Sequence, residues 1–406
     1  MHSGTFRTRL SLLLVSSLTV MSGATIAPAL PAMQAHFAGL DNAGLWVRLV
    51  LTMPALLIVI AAPVCGMIVD RWGRKYLLIP SMVIYGIAGS SGFYLDSITG
   101  ILIGRALLGV AVAGAMTSAT TLIADYYSGM ERARFMGWQA AFMSLGGVVF
   151  LVGGGYLAEV GWRWPFTVYL FALVLVPLIL ISLPEPDRSK EAAAKPGKEA
   201  GHPPDSKPVN LLAFIFTVAL FGMIIFYIIP LQIPYYLEVL FDAGPTASGL
   251  AIAVSTLFGT ITALSFGRIR IRMGNIPILG LTFGLMGVGY VIISLADSYG
   301  FILGGLAICG LGMGLMFPNL NVWLTTEVAQ AIRGRAVGGL TTAVFLGQFL
   351  SPLLSQPMGI AFGLKATFLL AGVVLIVCSL TFVVFRRQIL RFTAPAAHRS
   401  RDVRTI

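Results

Sequence analysis

Charge is scarce in this chain: Asp, Glu, Lys and Arg make up 11% of its 406 residues, against about 25% in a soluble domain. A surface facing water on every side cannot be furnished from that supply, so lipid is the solvent the composition implies. Cysteine is scarcer still. Cys65, Cys309 and Cys378 each lie inside an apolar stretch, without metal-ligand spacing or a disulfide framework, and read as packing residues. The four histidines, His2, His36, His202 and His398, fall in terminal or loop segments. Neither H-E-x-x-H nor G-x-S-x-G occurs. These absences argue against an enzyme and against a metal or other cofactor. The net charge of +11 would suggest nucleic acid only if the basic residues shared one face of a soluble domain, and here they sit between hydrophobic runs.

What the chain has in quantity is long apolar runs. A helix needs roughly 20 apolar residues to cross about 30 Å of hydrocarbon. Such runs fall near 10–33, 46–69, 76–95, 98–123, 135–158 and 165–183, then near 210–237, 246–267, 276–296, 299–325, 336–360 and 365–385. The first is too long for a signal-peptide core, despite its Ala-Pro-Ala-Leu-Pro-Ala ending. The expected fold is therefore an all-α membrane protein of twelve transmembrane helices. Placing both termini in the cytoplasm puts 23 of the 27 Lys and Arg residues on that side. Arg48, Arg163 and Lys365 lie on the outer side, and Arg105 lies within a span. Residues 184–209 are rich in Pro, Lys, Glu and Ala and read as a cytoplasmic linker. The division is then a half over 1–183, the linker, a half over 210–386 and a cytoplasmic tail over 387–406.

The halves repeat. A shift of 201 residues aligns Gly66 with Gly267, Arg71 with Arg272, Gly73 with Gly274, Gly109 with Gly310 and Arg134 with Arg335. Gly161 and Phe166 match Gly363 and Phe368 at 202. Six spans per half gives parallel repeats, related by an axis along the membrane normal, with a cavity expected between them.

The loop after the second span reads Gly66-Met-Ile-Val-Asp70-Arg71-Trp72-Gly73-Arg74-Lys75. It resembles the signature G-x-x-x-D-R-x-G-R-[RK] of the major facilitator superfamily, in the right loop and with a degraded copy, Gly267 through Gly274, where that family has one. The resemblance extends over the whole chain and implies secondary transport by alternating access. Drug and metabolite exporters that exchange solute for protons are the branch it most resembles, with uptake or facilitated passage of an organic anion or zwitterion as the alternative. In that family the loop helps latch the cytoplasmic side, its acid near the start of span eleven. This assigns a latch to Gly66, Asp70, Arg71, Gly73, Arg74 and Lys75, with Asp125 as a further partner. The same cations also suffice simply to fix topology.

Arg105 sits in Ile101-Leu-Ile-Gly-Arg105-Ala-Leu-Leu-Gly109, which resembles the family's span-four motif with its buried arginine. An ionisable group inside a span is a functional candidate by default, although a long side chain can also snorkel outward. Leu108 stands where that motif often has a polar residue, and no Gly-Pro precedes the Gly153-Gly154-Gly155 cluster of span five as the antiporter motif requires. Spans one and seven carry Pro28-Ala-Leu-Pro31 and Pro230-Leu-Gln232-Ile-Pro234, which interrupt or bend a helix. Arg105, Gln139, Ser144, Tyr227, Gln232, Asn319, Asn321 and Gln348 are the polar residues available to bind substrate, or else to bridge helices. A mostly apolar cavity with few hydrogen-bonding groups suits a small amphipathic organic solute. No acid lies deep in a span, which leaves Glu238 and Asp70 as the proton-coupling candidates. One chain holds both halves, so a monomer in the inner membrane is expected to suffice.

Overall fold

The structure, a computed structural model, describes residues 6–185 and 209–393. The expected linker lies almost wholly outside the described residues, as does most of the tail. Within them every regular element is helical, as the lipid environment demands: backbone groups with no water to bond must be satisfied inside their own segment.

The helices are α1 Phe6–His36, α2 Ala43–Trp72, α3 Arg74–Tyr94, α4 Ile98–Tyr126, α5 Gly129–Val160, α6 Trp164–Ser182, α7 Val209–Phe241, α8 Pro245–Arg272, α9 Asn275–Ser294 and α10 Tyr299–Glu327. The last apolar stretch runs unbroken over Gln330–Val384 by hydrogen bonding, but Gly363 has φ +82° and ψ 165° inside it. That left-handed conformation favours glycine, and it divides the stretch into α11 (330–362) and α12 (364–384). Twelve spans result, as the hydropathy pattern implies. A short helix, α13 Arg386–Thr393, follows.

The repeat seen in the glycines is a repeat of contacts. A Cβ at Gly109 would lie 2.4 Å from the Pro54 carbonyl oxygen, and one at Gly310 would lie 2.1 Å from that of Ser255. Residue 54 and residue 255 are themselves 201 apart. Likewise, a Cβ at Gly104 would meet the Ala88 oxygen at 2.9 Å, and one at Gly305 the Gly289 oxygen at 2.8 Å. Glycine is thus what brings α4 onto α2 and α3, and α10 onto α8 and α9, at backbone contact. The starts of α4 and α10 match too: Ser97 Oγ accepts from Gly100 N at 3.0 Å and Ser298 Oγ from Phe301 N at 3.4 Å.

Helices α1 and α7 are both interrupted. In α1 the α-helix stops at Ala24, passes through a 3-10 turn at Ala27–Ala29 and resumes over Leu30–His36. In α7 it breaks at Tyr227 and resumes over Ile228–Phe241. Pro28 and Pro230 lie beside these breaks, where their missing N–H groups cannot continue the ladder. The two halves meet along α5 with α8 and α2 with α11.

Candidate functional site

A cavity of about 460 Å³ lies between the halves, lined by α1, α2, α4 and α5 of the first and α7, α8, α10 and α11 of the second. Its wall carries five methionines, Met21, Met116, Met143, Met223 and Met313, and four phenylalanines, Phe150, Phe226, Phe317 and Phe345. Among the described residues no ionisable acid or base lines it, and the one weakly titratable group is the Tyr227 phenol. The polar members are six. The hydroxyls of Thr19, Ser22, Thr25 and Thr256 donate to carbonyls of their own helices. Among the described residues that leaves the Tyr227 hydroxyl and the Gln348 amide without a hydrogen bond, and these are the two polar groups free to orient a guest. The break in α7 puts Tyr227 at the cavity, and Gly23 in α1 makes room for it: a Cβ there would lie 2.8 Å from the Tyr227 hydroxyl.

Arg105 does not line the cavity. It is fully buried in the first half, where its Nε donates to the Val50 carbonyl at 2.8 Å and its Nη2 to the Ser22 carbonyl at 2.7 Å. Its guanidinium lies 5.0 Å from the centre of the Tyr169 ring. The acceptors explain the cation. The Val50 oxygen would take the N–H of residue 54, which is Pro54 and has none, while the Ser22 oxygen lies where α1 breaks off. In the second half, neutral side chains do the corresponding work at the α7 break: Tyr290 donates to the Ile225 carbonyl and Ser351 to that of Ile224, at 2.5 and 2.7 Å.

The other polar candidates scatter. Gln139 donates to Ser16 Oγ at 2.9 Å and ties α5 to α1. Asn319 donates to the Asn275 carbonyl at 2.9 Å, tying α10 to the start of α9. Ser144 is half-buried away from the cavity and Asn321 is exposed.

Gln232 leads to a site that the sequence did not single out. Arg48 Nη2 donates to Gln232 Oε1 at 3.2 Å across the interface of the halves. Arg48 Nη1 donates to Gln34 Oε1 at 3.2 Å and to the Gly44 carbonyl at 2.9 Å. The guanidinium caps the Tyr235 ring at 4.0 Å, and Tyr235 donates to the Leu30 carbonyl at 3.2 Å. Gln356 of α11 adjoins the cluster: an atom built on Gly44 would lie 2.8 Å from its Nε2. Arg48, Gln232 and Gln356 are all at least nine-tenths buried. Nearby, Glu159 Oε1 of α5 accepts from Thr246 N of α8 at 3.1 Å, and Gly155 and Gly249 bring those helices into backbone contact. The only signal for Arg48 in the sequence is its breach of the charge bias. Glu238 is exposed on α7, three residues beyond Tyr235.

The loop signature lies at the opposite end. Gly73 has φ +117°, which a glycine supplies between α2 and α3. Arg74 is buried and pairs with Asp125 at 2.9 Å. Glu185, which sequence reading passed over, accepts from the backbone N–H groups of Arg74 and Lys75, both at 2.8 Å. Lys75 Nζ donates to the Leu180 carbonyl at 2.8 Å. These bonds bind the first half to itself. Asp70 and Arg71 are exposed, and neither Gly66 nor its counterpart Gly267 has a neighbouring atom within 4 Å of a built Cβ. Gly66 thus meets no close helix here, and no hydrogen bond or ion pair ties Asp70 to α11 among the described residues.

Comparison with known proteins agrees with this architecture. The profile of the Major Facilitator Superfamily matches residues 12–328 and 215–403. Multidrug resistance protein 1 of Bacillus subtilis is 28% identical over 303 residues, covering 73% of this chain and 76% of that protein. Tetracycline resistance protein, class H, of Pasteurella multocida is 24% identical over 354 residues, covering 84% and 86%. Among solved structures, a bacterial homologue of the human lysosomal transporter Spinster, inward-facing and occupied, superposes with a TM-score of 0.77 at 17% identity, over 95% of this chain and 97% of that one.

Proposed function

Because the chain belongs to the Major Facilitator Superfamily, we propose that it exports small, uncharged amphipathic organic compounds by alternating access. The observation that carries this is the lining of the central cavity: methionine and phenylalanine throughout, no ionisable acid or base, and two uncommitted polar groups, Tyr227 and Gln348. Unbranched, polarisable methionine re-packs around guests of different shape, which suits a binder of many aromatic compounds. A cationic guest would meet no carboxylate there and an anionic guest no guanidinium, since Arg105 is buried outside the lining with its Nε and Nη2 on backbone carbonyls. The names of the relatives, multidrug and tetracycline resistance proteins, support export.

The moving bodies are the segments 1–183 and 210–386. The basic-loop face is cytoplasmic by the distribution of Lys and Arg, and the Arg48 cluster is then the closed outer gate. The bonds across the halves at Arg48 and the open surroundings of Gly66 and Gly267 support a conformation open toward the cytoplasm. A proton that drives export is carried outside the cavity, and Glu238, on the same helix as the gate residues Gln232 and Tyr235, is the acid we assign to it ahead of Asp70.

The test is binding in detergent to matched neutral, cationic and anionic aromatic dyes, followed by transport in liposomes under a pH gradient. Neutral dyes bind best, with affinity flat between about pH 5 and 9 because the side chains that titrate in that range lie outside the cavity. Tyr227→Phe and Gln348→Ala each weaken binding about three- to tenfold, the worth of one hydrogen bond. Preferential binding of the anionic dye would sink this reading and favour passage of an organic anion. Glu238→Gln keeps binding and loses solute-driven proton flux; unaltered flux would remove Glu238 from the coupling step.

A further inference from the structure

We infer that guests reach the cavity from within the membrane, through a groove between α1, α5 and α6 that Phe150 closes. The inference rests on the function proposed above and adds the route. The groove has a volume of about 440 Å³ and is lined by Leu14, Phe142, Leu145, Val149, Val168 and Phe171. Leu145 and Val149 are 62% and 57% exposed on its rim, which faces lipid. Its hydroxyls, on Ser17 and Thr167, donate to carbonyls of their own chain segments at 2.7 Å. It is as uncharged as the cavity itself.

Groove and cavity share one side chain in their linings. Phe150 is the residue that lines both. On α5, Gly146 faces the groove and the adjacent Gly147 faces the cavity; on α1, Ser17 faces the groove and Val20 the cavity. Where α5 crosses α1 the two helices pack closely, and Gly146 and Gly147 keep the partition between groove and cavity thin. A Cβ at Gly146 would lie 3.0 Å from Ser17 Cβ and 3.5 Å from the Phe150 ring, and one at Gly147 would lie 3.2 Å from Val20. Rotation of one half-buried aromatic ring about χ1, a fast event for a side chain, joins the two spaces. The occupant this fits is a neutral amphipathic compound dissolved in the bilayer, where such compounds concentrate. A charged or strongly hydrated solute finds no partner along the route.

The experiment compares two neutral probes in liposomes: Nile red, which partitions into the bilayer, and chloramphenicol, which stays largely in water. Val149→Trp fills the groove from its exposed rim, at a position that is not part of the cavity wall. It slows Nile red export about tenfold, equivalent to 1.4 kcal/mol in the barrier. Chloramphenicol export and the Nile red Kd in detergent stay within about twofold. Phe150→Ala raises the Nile red rate. Undiminished Nile red export in Val149→Trp overturns the route and leaves the function standing, as does an equal loss for both probes. Wild-type protein that binds neither probe overturns the function and the route together.

Discussion

Arg105 and Pro54 form a pair that neither residue explains alone. A proline in mid-span leaves a carbonyl without its donor, and in hydrocarbon an unsatisfied carbonyl costs several kcal/mol; Arg105 supplies that donor and a second one for the broken end of α1. Arg105→Met is therefore expected to destabilise the folded protein by about 1–3 kcal/mol, since the Val50 carbonyl loses its donor and the Ser22 carbonyl keeps only the Tyr169 hydroxyl at 3.4 Å. Thermal unfolding in detergent checks it. Pro54→Ala returns an N–H to Val50, so its effect and that of Arg105→Met should be coupled by about 1 kcal/mol in a double-mutant cycle; strict additivity would show that the two residues act separately. Tyr227→Phe is the contrast, weakening dye binding with little effect on unfolding. The sequence displayed Arg105 as a buried charge, which it is, but its destination depends on a proline in another helix. Tyr227 and Gln348 were legible as polar groups in apolar spans. Which of eight such groups face one cavity depends on how each helix is rotated about its axis, and hydropathy does not record rotation.

Among the elements, the spans were readable because about 20 apolar residues in a row admit few other uses, and the breaks in α1 and α7 were readable from Pro28 and Pro230. The matched glycines were readable as a pattern, not as two different kinds of contact. Gly109 and Gly310 weld helices within a half, so Gly310→Ala, whose Cβ would fall 2.1 Å from the Ser255 oxygen, should cost about 1–3 kcal/mol. Gly66 and Gly267 stand in open space. There Gly66→Ala should leave the protein as stable or up to about 1 kcal/mol more so, by helix propensity, while slowing transport because α2 can no longer close against its partner. Stability and transport rate measured on the same variants distinguish the two classes. Equal behaviour of Gly66→Ala and Gly310→Ala would show that the latch glycine has no conformational role.

For the whole molecule, hydrogen bonds join the halves at the end opposite the loop signature: Arg48 to Gln232, Tyr235 to Leu30, Glu159 to Thr246. In a background with the three native cysteines replaced, Glu159→Cys with Thr246→Cys should cross-link in the resting protein. Arg48→Ala should reduce that cross-linking by shifting the population toward the state open at this end, since removing one partner of a buried polar cluster costs more than its net worth. Undiminished cross-linking in Arg48→Ala would mean this end is held shut by helix packing alone.

Arg105 also constrains how the chain is made. A lone arginine inside a span costs up to about 2.5–3.5 kcal/mol on insertion, and the one acid of α4, Asp125, sits at the far end of the helix, paired with Arg74. Both of its acceptors, at Ser22 and Val50, belong to helices that leave the ribosome earlier. The fourth span therefore enters the bilayer as a guest of α1 and α2, and a chain lacking those two helices should fail to insert it.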